Sequence, residues 1–333
     1  MSKVAIVYAI SNLYFEPFSV SLVSLFENSK NYRDYSYYIL NENLSIENHL
    51  KLDELFKING GGVAYRKIDI DSIFEKNDLM SQNLEWNGNK SRTHLFSLMP
   101  DKFITNSEDI KYLLFLGADT LINKDINQLF KIDFGDNLIA GVPEFFYYQN
   151  HLTVRPYKGL NGDVLLYNFK KWKEQNISND IIQFYNNLEQ KINPDSIISY
   201  LFQKRIIWLP IKYNYYFHIY SNKLFKYLVH YYSIIPIADV NEVLKGDYVI
   251  IHYASLFARP WLLHNTSSKS EIYHHYLKSL PFEAKKEESI YKCKSEYTGL
   301  RFSKIRIFIK KTSFKLLPVF IYKLFFDGVH RKT

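Results

Sequence analysis

The sequence predicts an α/β protein with a mostly parallel central sheet covered by helices on both faces. Two observations carry that prediction. Short apolar runs of strand length alternate with stretches whose apolar residues recur at helical spacing, and the clearest buried strand, in KYLLFLGADT (residues 111–120), passes directly into a polar turn. With 333 residues, 47% hydrophobic and 23% charged, the chain can bury one large core and still carry an appendage.

The elements follow in order. Residues 3–9 (KVAIVYA) suit a buried strand, residues 10–13 a loop, and residues 14–28 a helix with Phe15, Phe18, Leu22, Leu25 and Phe26 on one side. A second strand spans 35–40, and an amphipathic helix runs from about Ser45 to Ile58, with Glu47 in its first turn and Asn59 followed by three glycines at its end. The glycines lack the spacing of a phosphate-binding loop and read as a turn. A third strand covers 63–68, and later strands cover 138–142, 163–167, 205–209 and 248–253, with helices near 169–175, 178–190 and 195–204. The pattern breaks after Trp261, at NTSSKS (265–270), which divides the chain into residues 1–264 and a helical C-terminal region, 265–333.

Charge separates the same two parts. Residues 301–333 hold nine of the 42 basic residues but one of the 34 acids, Asp327, so the rest of the chain carries 33 of each and is neutral. Bases interleaved with Ile, Phe, Leu and Tyr in this tail fit an anionic membrane interface, although Pro318 interrupts a single helix and packing on a partner or on the body is the alternative. A neutral body without a nucleic-acid motif argues against nucleic acid as partner. Cys293 is the single cysteine, which rules out an intramolecular disulfide and fits a reducing compartment. No run approaches the roughly 18 apolar residues of a spanning helix, and the first residues read as a strand rather than a signal peptide.

Ligands of open α/β sheets bind at the carboxyl ends of strands, which draws attention to Asp119. A carboxylate there either caps a turn or holds a divalent cation against phosphates. His252 and Arg259 follow another buried strand in VIIHYASLFARPW. A neutral imidazole is a second metal ligand or a satisfied core group, and a guanidinium can grip a diphosphate bidentately.

At these residues the chain resembles the retaining glycosyltransferases of family 8, over roughly residues 3–262. AISNLYFEPFSVSLVSLFENS (9–29) is similar to the family's opening strand, nucleotide loop and helix, and LLFLGADTLINKDINQLF (113–130) to the stretch with its metal-binding Asp-x-Asp. GLNGDVLLYNFKKW (159–172), RIIWLPIKYN (205–214) and HYASLFARPW (252–261) resemble three further family segments, in the same order. The resemblance implies a GT-A type Rossmann-like domain over 1–264 that transfers a hexose, galactose or glucose, from a UDP-sugar to a glycan or lipopolysaccharide acceptor hydroxyl with retention of configuration. It implies Mn²⁺ or Mg²⁺ on Asp119 and His252, and nucleotide contacts from Ala9, Asn12, Tyr14, Ala118 and Arg259. Asn161 and Asp195 would act catalytically by orienting donor sugar and acceptor. Joined to the basic tail, it places the protein in the cytoplasm, on the inner face of the cytoplasmic membrane beside a lipid-linked acceptor.

Departures from the family pattern bear on activity. The first aspartate of Asp-x-Asp is Gly117, the family's Asp-Gln-Asp aligns with Pro194, Asp195 and Ser196, and its upstream Arg appears as His94, with Arg92 nearby. The motif's Gly is Ser255, and its Lys is Arg259, one residue later. Asp163 is an additional acid in the same region, serving either the site or the start of a strand. Gly117 also motivates a second reading, a non-catalytic binding or assembly subunit, and a protein acceptor is a third.

Overall fold

The structure, a computed structural model, describes residues 3–70, 72–73, 93–105, 107, 109–144, 159–187, 194–216, 237–254, 259–261 and 270–283. Seven strands form the main sheet: β1 (Lys3–Ser11), β2 (Ser36–Glu42), β3 (Tyr65–Asp69), β4 (Ile110–Leu116), β6 (Ile139–Pro143), β7 (Leu160–Asn168) and β8 (Ile206–Trp208). Their spatial order is β3-β2-β1-β4-β7-β6-β8. All run parallel except β7, which opposes both neighbours, β4 and β6. A two-stranded antiparallel ladder of β5 (Thr120–Ile122) and β9 (Ile250–His252) stands beside this sheet.

The apolar runs become central strands because both of their faces are covered. On β4, Tyr112, Leu114 and Leu116 enter one core while Leu113 and Phe115 enter the other. β1 and β7 divide their side chains the same way, with Val4, Ile6, Tyr8, Val164 and Leu166 on the first face and Ala5, Val7, Leu165 and Tyr167 on the second. Each fully buried Leu contributes about 1.5–3 kcal/mol, so a slip of one residue on β4, which exchanges the two sets, is strongly disfavoured.

Helix α1 (Phe15–Asn28) lies under β1 and is buried along nearly its whole length. Its serines are tolerated there because each is bonded: Ser19 Oγ donates to Phe15 O, Ser21 pairs with Tyr8 Oη at 3.0 Å, and Ser24 Oγ accepts from Ile122 N at 2.9 Å. Helix α2 (Ile46–Ile58) starts on a Ser45 cap and ends in the expected glycine turn, where Gly61 and Gly62 take φ of 60° and 78°. On the other face lie α3 (Pro100–Phe103), α4 (Phe169–Glu174), α5 (Ile177–Asn186) and α6 (Pro194–Leu201). Trp172 of α4 is fully buried there, and its Nε1 donates to Ser178 Oγ at 2.9 Å.

Two short helices complete the described fold, α7 (Ile237–Leu244) and α8 (Ser270–Leu277). One compact unit takes in Met1–Trp261 and Asn265–Lys285. α8 is tied to α1 by Tyr273 Oη, which donates to Glu16, and by Asn28 Nδ2, which donates to Tyr276 Oη at 2.7 Å. The basic segment 301–333 lies outside the described residues. Among the described residues no helix is long and apolar enough to cross a membrane.

The strands and helices expected within residues 1–264 are present with ends shifted by a few residues, and of the helical region expected over 265–333 only the part holding α8 is described. Two differences matter for the site. β1 runs on to Ser11 instead of yielding to a loop at residue 10, and the ladder partner β5, three residues long, was not expected.

Candidate active site

Three chain segments converge just beyond the carboxyl end of β4. After Leu116, Gly117–Asp119 form a turn closed by Thr120, whose N and Oγ1 both donate to Gly117 O, at 3.1 and 2.8 Å. The chain then enters β5, and Thr120 pairs opposite His252 at the end of β9. Tyr253 N donates to Asp119 O at 3.0 Å, so the ladder holds Asp119 and His252 side by side. Because β7 is reversed, its first residues reach the same place: Gly117 N donates to Asp163 O at 2.7 Å.

The side chains meet accordingly. His252 Nε2 lies 3.2 Å from Asp119 Oδ1 and 3.4 Å from Asp163 Oδ2. The donor atoms of all three residues fall within 4.8 Å of one another. His252 is 2% exposed at its side chain and Asp119 11%, whereas Asp163 is 39% exposed, so the cluster opens to solvent through Asp163.

A chain of amides fixes the histidine. Asp163 N donates to Asn161 Oδ1 at 3.0 Å, which makes that atom the oxygen, and Asn161 Nδ2 therefore faces Glu144 Oε2, at 2.7 Å. Asn214 Nδ2 donates to the same Asn161 Oδ1 at 2.7 Å, leaving Asn214 Oδ1 to face His252 Nδ1 at 2.9 Å. Nδ1 consequently carries a proton, and Nε2 is the atom turned toward the two carboxylates. Burial opposes a charge on His252, but Asp119 and Asp163 outweigh it and hold its pKa above the ordinary imidazole value. Burial likewise works to raise the Asp119 carboxyl, yet His252 and Arg259 hold it below the usual range.

Arg259 borders the cluster. Its Nη2 is 3.9 Å from Asp119 Oδ2, and its guanidinium lies 5.4 Å from the Tyr14 ring centroid and 5.9 Å from that of Trp261. Asp119, His252, Asn161, Arg259 and Tyr14 are thus brought together, with Ala118 buried in the connecting turn. Ala9 is half-buried on β1, and Asn12 is exposed and engaged with its own chain: its Nδ2 donates to Asn43 O, and its Oδ1 accepts from Ser45 N and Asn48 Nδ2. Asp195 sits in the first turn of α6, where only the helix is described. Arg92 and Ser255 lie outside the described residues, and of His94 only its place in a short 3₁₀ turn is described.

Sequence reasoning left Glu144 and Asn214 out of the site and Asp163 undecided. Glu144 carried a usable signal, an acid directly after a buried strand, the same one that singled out Asp119. Asn214 closes the family-like segment RIIWLPIKYN, but its contact with His252 follows from the long-range bridge of Tyr215 to Ile251, which no local pattern shows. Two carboxylates and one imidazole suit a divalent cation of the Mn²⁺ or Mg²⁺ kind, and the fixed tautomer presents the correct histidine nitrogen.

Comparison with known proteins identifies the family and the fold. The profile of Glycosyl transferase family 8 matches residues 5–264. Glycosyltransferase GlyF of Streptococcus pneumoniae is 24% identical over 273 residues, 81% of this chain and 60% of that protein. A putative glycosyltransferase of Haemophilus influenzae is 23% identical over 218 residues, 62% of this chain and 61% of its own. The chain spans less than two thirds of the length of these curated relatives. Among solved structures, the galactosyltransferase LgtC in complex with donor and acceptor sugar analogues superposes with a TM-score of 0.61 at 20% identity, covering 84% of this chain and 98% of LgtC. GlyE of Streptococcus pneumoniae superposes with a TM-score of 0.55 at 21% identity, covering 83% of this chain and 60% of GlyE. These likenesses establish a GT-A-like Rossmann fold, and the match over most of its length makes this chain a member of glycosyl transferase family 8.

Proposed function

We propose that the protein is a retaining, UDP-sugar-dependent hexosyltransferase that moves galactose or glucose to a hydroxyl of a glycan or lipopolysaccharide acceptor. The observation that carries this reading is the meeting of Asp119, Asp163 and His252, with Arg259 beside them, at the carboxyl end of β4 in a family 8 domain.

Asp119, Asp163 and His252 would hold Mn²⁺ or Mg²⁺. When bound, the cation supplies positive charge that neutralises a diphosphate leaving group. Arg259 adds a second cationic contact to the diphosphate through its planar fork, and its position over Tyr14 keeps that fork at the nucleotide side. Ala9, Asn12, Tyr14 and Ala118 would line the nucleoside. Asp195 is assigned to orienting the donor sugar. Asn161 orients the reacting groups through the residues it holds, since its amide bonds Glu144, Asn214 and the Asp163 backbone. The bond from the anomeric carbon to the diphosphate oxygen breaks with its electron pair going to UDP, the acceptor oxygen bonds to that carbon, and the acceptor's proton passes to the departing diphosphate.

Gly117 was the reason to consider a non-catalytic relative, and the Asp163 carboxylate packed against it supports an active enzyme instead. The basic, aromatic segment 301–333 supports attachment to the inner face of the cytoplasmic membrane, near a lipid-linked acceptor, because each surface-near base adds about 1 kcal/mol of attraction to an anionic leaflet.

UDP release from UDP-galactose and UDP-glucose, with and without Mn²⁺, tests the assignment. Metal-dependent turnover of one of them is expected, and no turnover of any UDP-hexose with saccharide acceptors would overturn it. Flotation with anionic vesicles, with and without residues 301–333, tests the attachment; equal flotation of both forms would remove it.

A further inference from the structure

Gly117 has no conformational reason to be glycine. Its φ lies outside the left-handed region, so its backbone suits any residue. What excludes a side chain is Asp163: a Cβ on Gly117 would lie 2.6 Å from Asp163 Oδ1, 2.9 Å from its Cβ and 3.1 Å from its Cγ. The pairing of Leu116 with Val164 makes residues 117 and 163 the next cross-strand pair, joined by the bond from Gly117 N to Asp163 O. One volume, facing His252 and Asp119, therefore lies within reach of a side chain from either strand.

We infer that positions 117 and 163 form a single carboxylate ligand position shared across β4 and β7, filled from 163 and requiring glycine at 117. The inference rests on the reading of the cluster as a cation site. Oδ2 of Asp163, 3.4 Å from His252 Nε2, supplies the oxygen at this position. A carboxylate grown from 117 would enter the same space once Asp163 is reduced to glycine, whereas carboxylates at both positions would collide and repel. The two residues are exchangeable together and not singly.

The test measures Mn²⁺ binding to the full chain in the presence of UDP, by loss of the free-ion electron paramagnetic resonance signal, together with thermal melting of the metal-free proteins. Asp163→Gly and the isosteric Asp163→Asn are expected to weaken Mn²⁺ binding by more than about tenfold, the lower bound for losing even an outer partner of a ligand. Gly117→Asp alone is expected to lower the melting temperature and to weaken binding. The double variant Gly117→Asp/Asp163→Gly is expected to recover most of both losses. A double variant that binds no more tightly than Asp163→Gly overturns the shared position, as does a Gly117→Asp protein that melts and binds like the wild type. Absence of Mn²⁺ binding by the wild type is a different failure, because it overturns the cation reading underneath.

Discussion

The carboxyl ends of β1 and β4 lie side by side in one sheet and treat their polar residues in opposite ways. At the end of β1, Asn12 directs its amide into its own chain, bonding Asn43, Ser45 and Asn48 and tying the strand to the start of α2. At the end of β4, Asp119 and Asp163 face one imidazole nitrogen, with a guanidinium nearby. The first arrangement is held by bonds within the chain, which set the loop assigned to the nucleoside. The second balances its charge only while His252 carries a second proton, and a divalent cation would serve in that proton's place. Adjacent strand ends thus hold a structural knot and an exchangeable charged site.

The largest effect that would break this contrast comes from the ligands. Asp119→Ala or His252→Ala is expected to weaken Mn²⁺ binding about 100-fold or more, the top of the range for outer partners of a ligand, as read by calorimetry. Retention of wild-type affinity in either variant would mean that the cluster is merely an internal ion pair. Glu144→Gln should cost about tenfold, because a neutral amide can turn its NH₂ toward Asn161 and disturb the orientation passed through Asn214 to His252. Nitrogen chemical shifts of His252 would then show a changed protonation of Nδ1, an outcome that simple loss of a distant charge would not produce.

pH sharpens the same comparison. The raised pKa of His252 means that its charged form stabilises the folded, metal-free protein fully below the unfolded value of about 6.5, and that this contribution is lost as pH rises through the folded pKa. Metal-free protein should therefore melt lower across that window. The gain in melting temperature on adding Mn²⁺ should grow over it, since the cation no longer displaces a proton. A His252→Ala profile identical to the wild type would contradict this. The smallest effect belongs to the knot at β1: Asn12→Ala should lower folding stability by about 1 kcal/mol, measured by denaturant midpoint.

Much of this architecture is legible in the chain because its central strands are buried on both faces and so appear as unbroken apolar runs. KYLLFLG marks β4 and the turn carrying Asp119 without further information. The reversal of β7 is not legible in that way. GLNGDVLLYNF would read the same in either direction of pairing, and direction decides whether Asp163 meets His252 or lies at the opposite edge of the sheet. β5 is hidden for a different reason, since three residues are too few for a period and the strand exists through its pairing with β9. The sequence therefore discloses Asp119 and His252, which end apolar runs. It leaves Asp163 undecided and does not show how Glu144 and Asn214 take part, because these roles arise from contacts between distant segments.

The most direct test of the cation site is calorimetric titration of the full chain with UDP, with and without Mn²⁺. Binding that requires the metal is expected, because the diphosphate otherwise meets the Asp119 and Asp163 carboxylates with only Arg259 and His252 to offset them. UDP binding of equal strength without metal, or none under either condition, would contradict it.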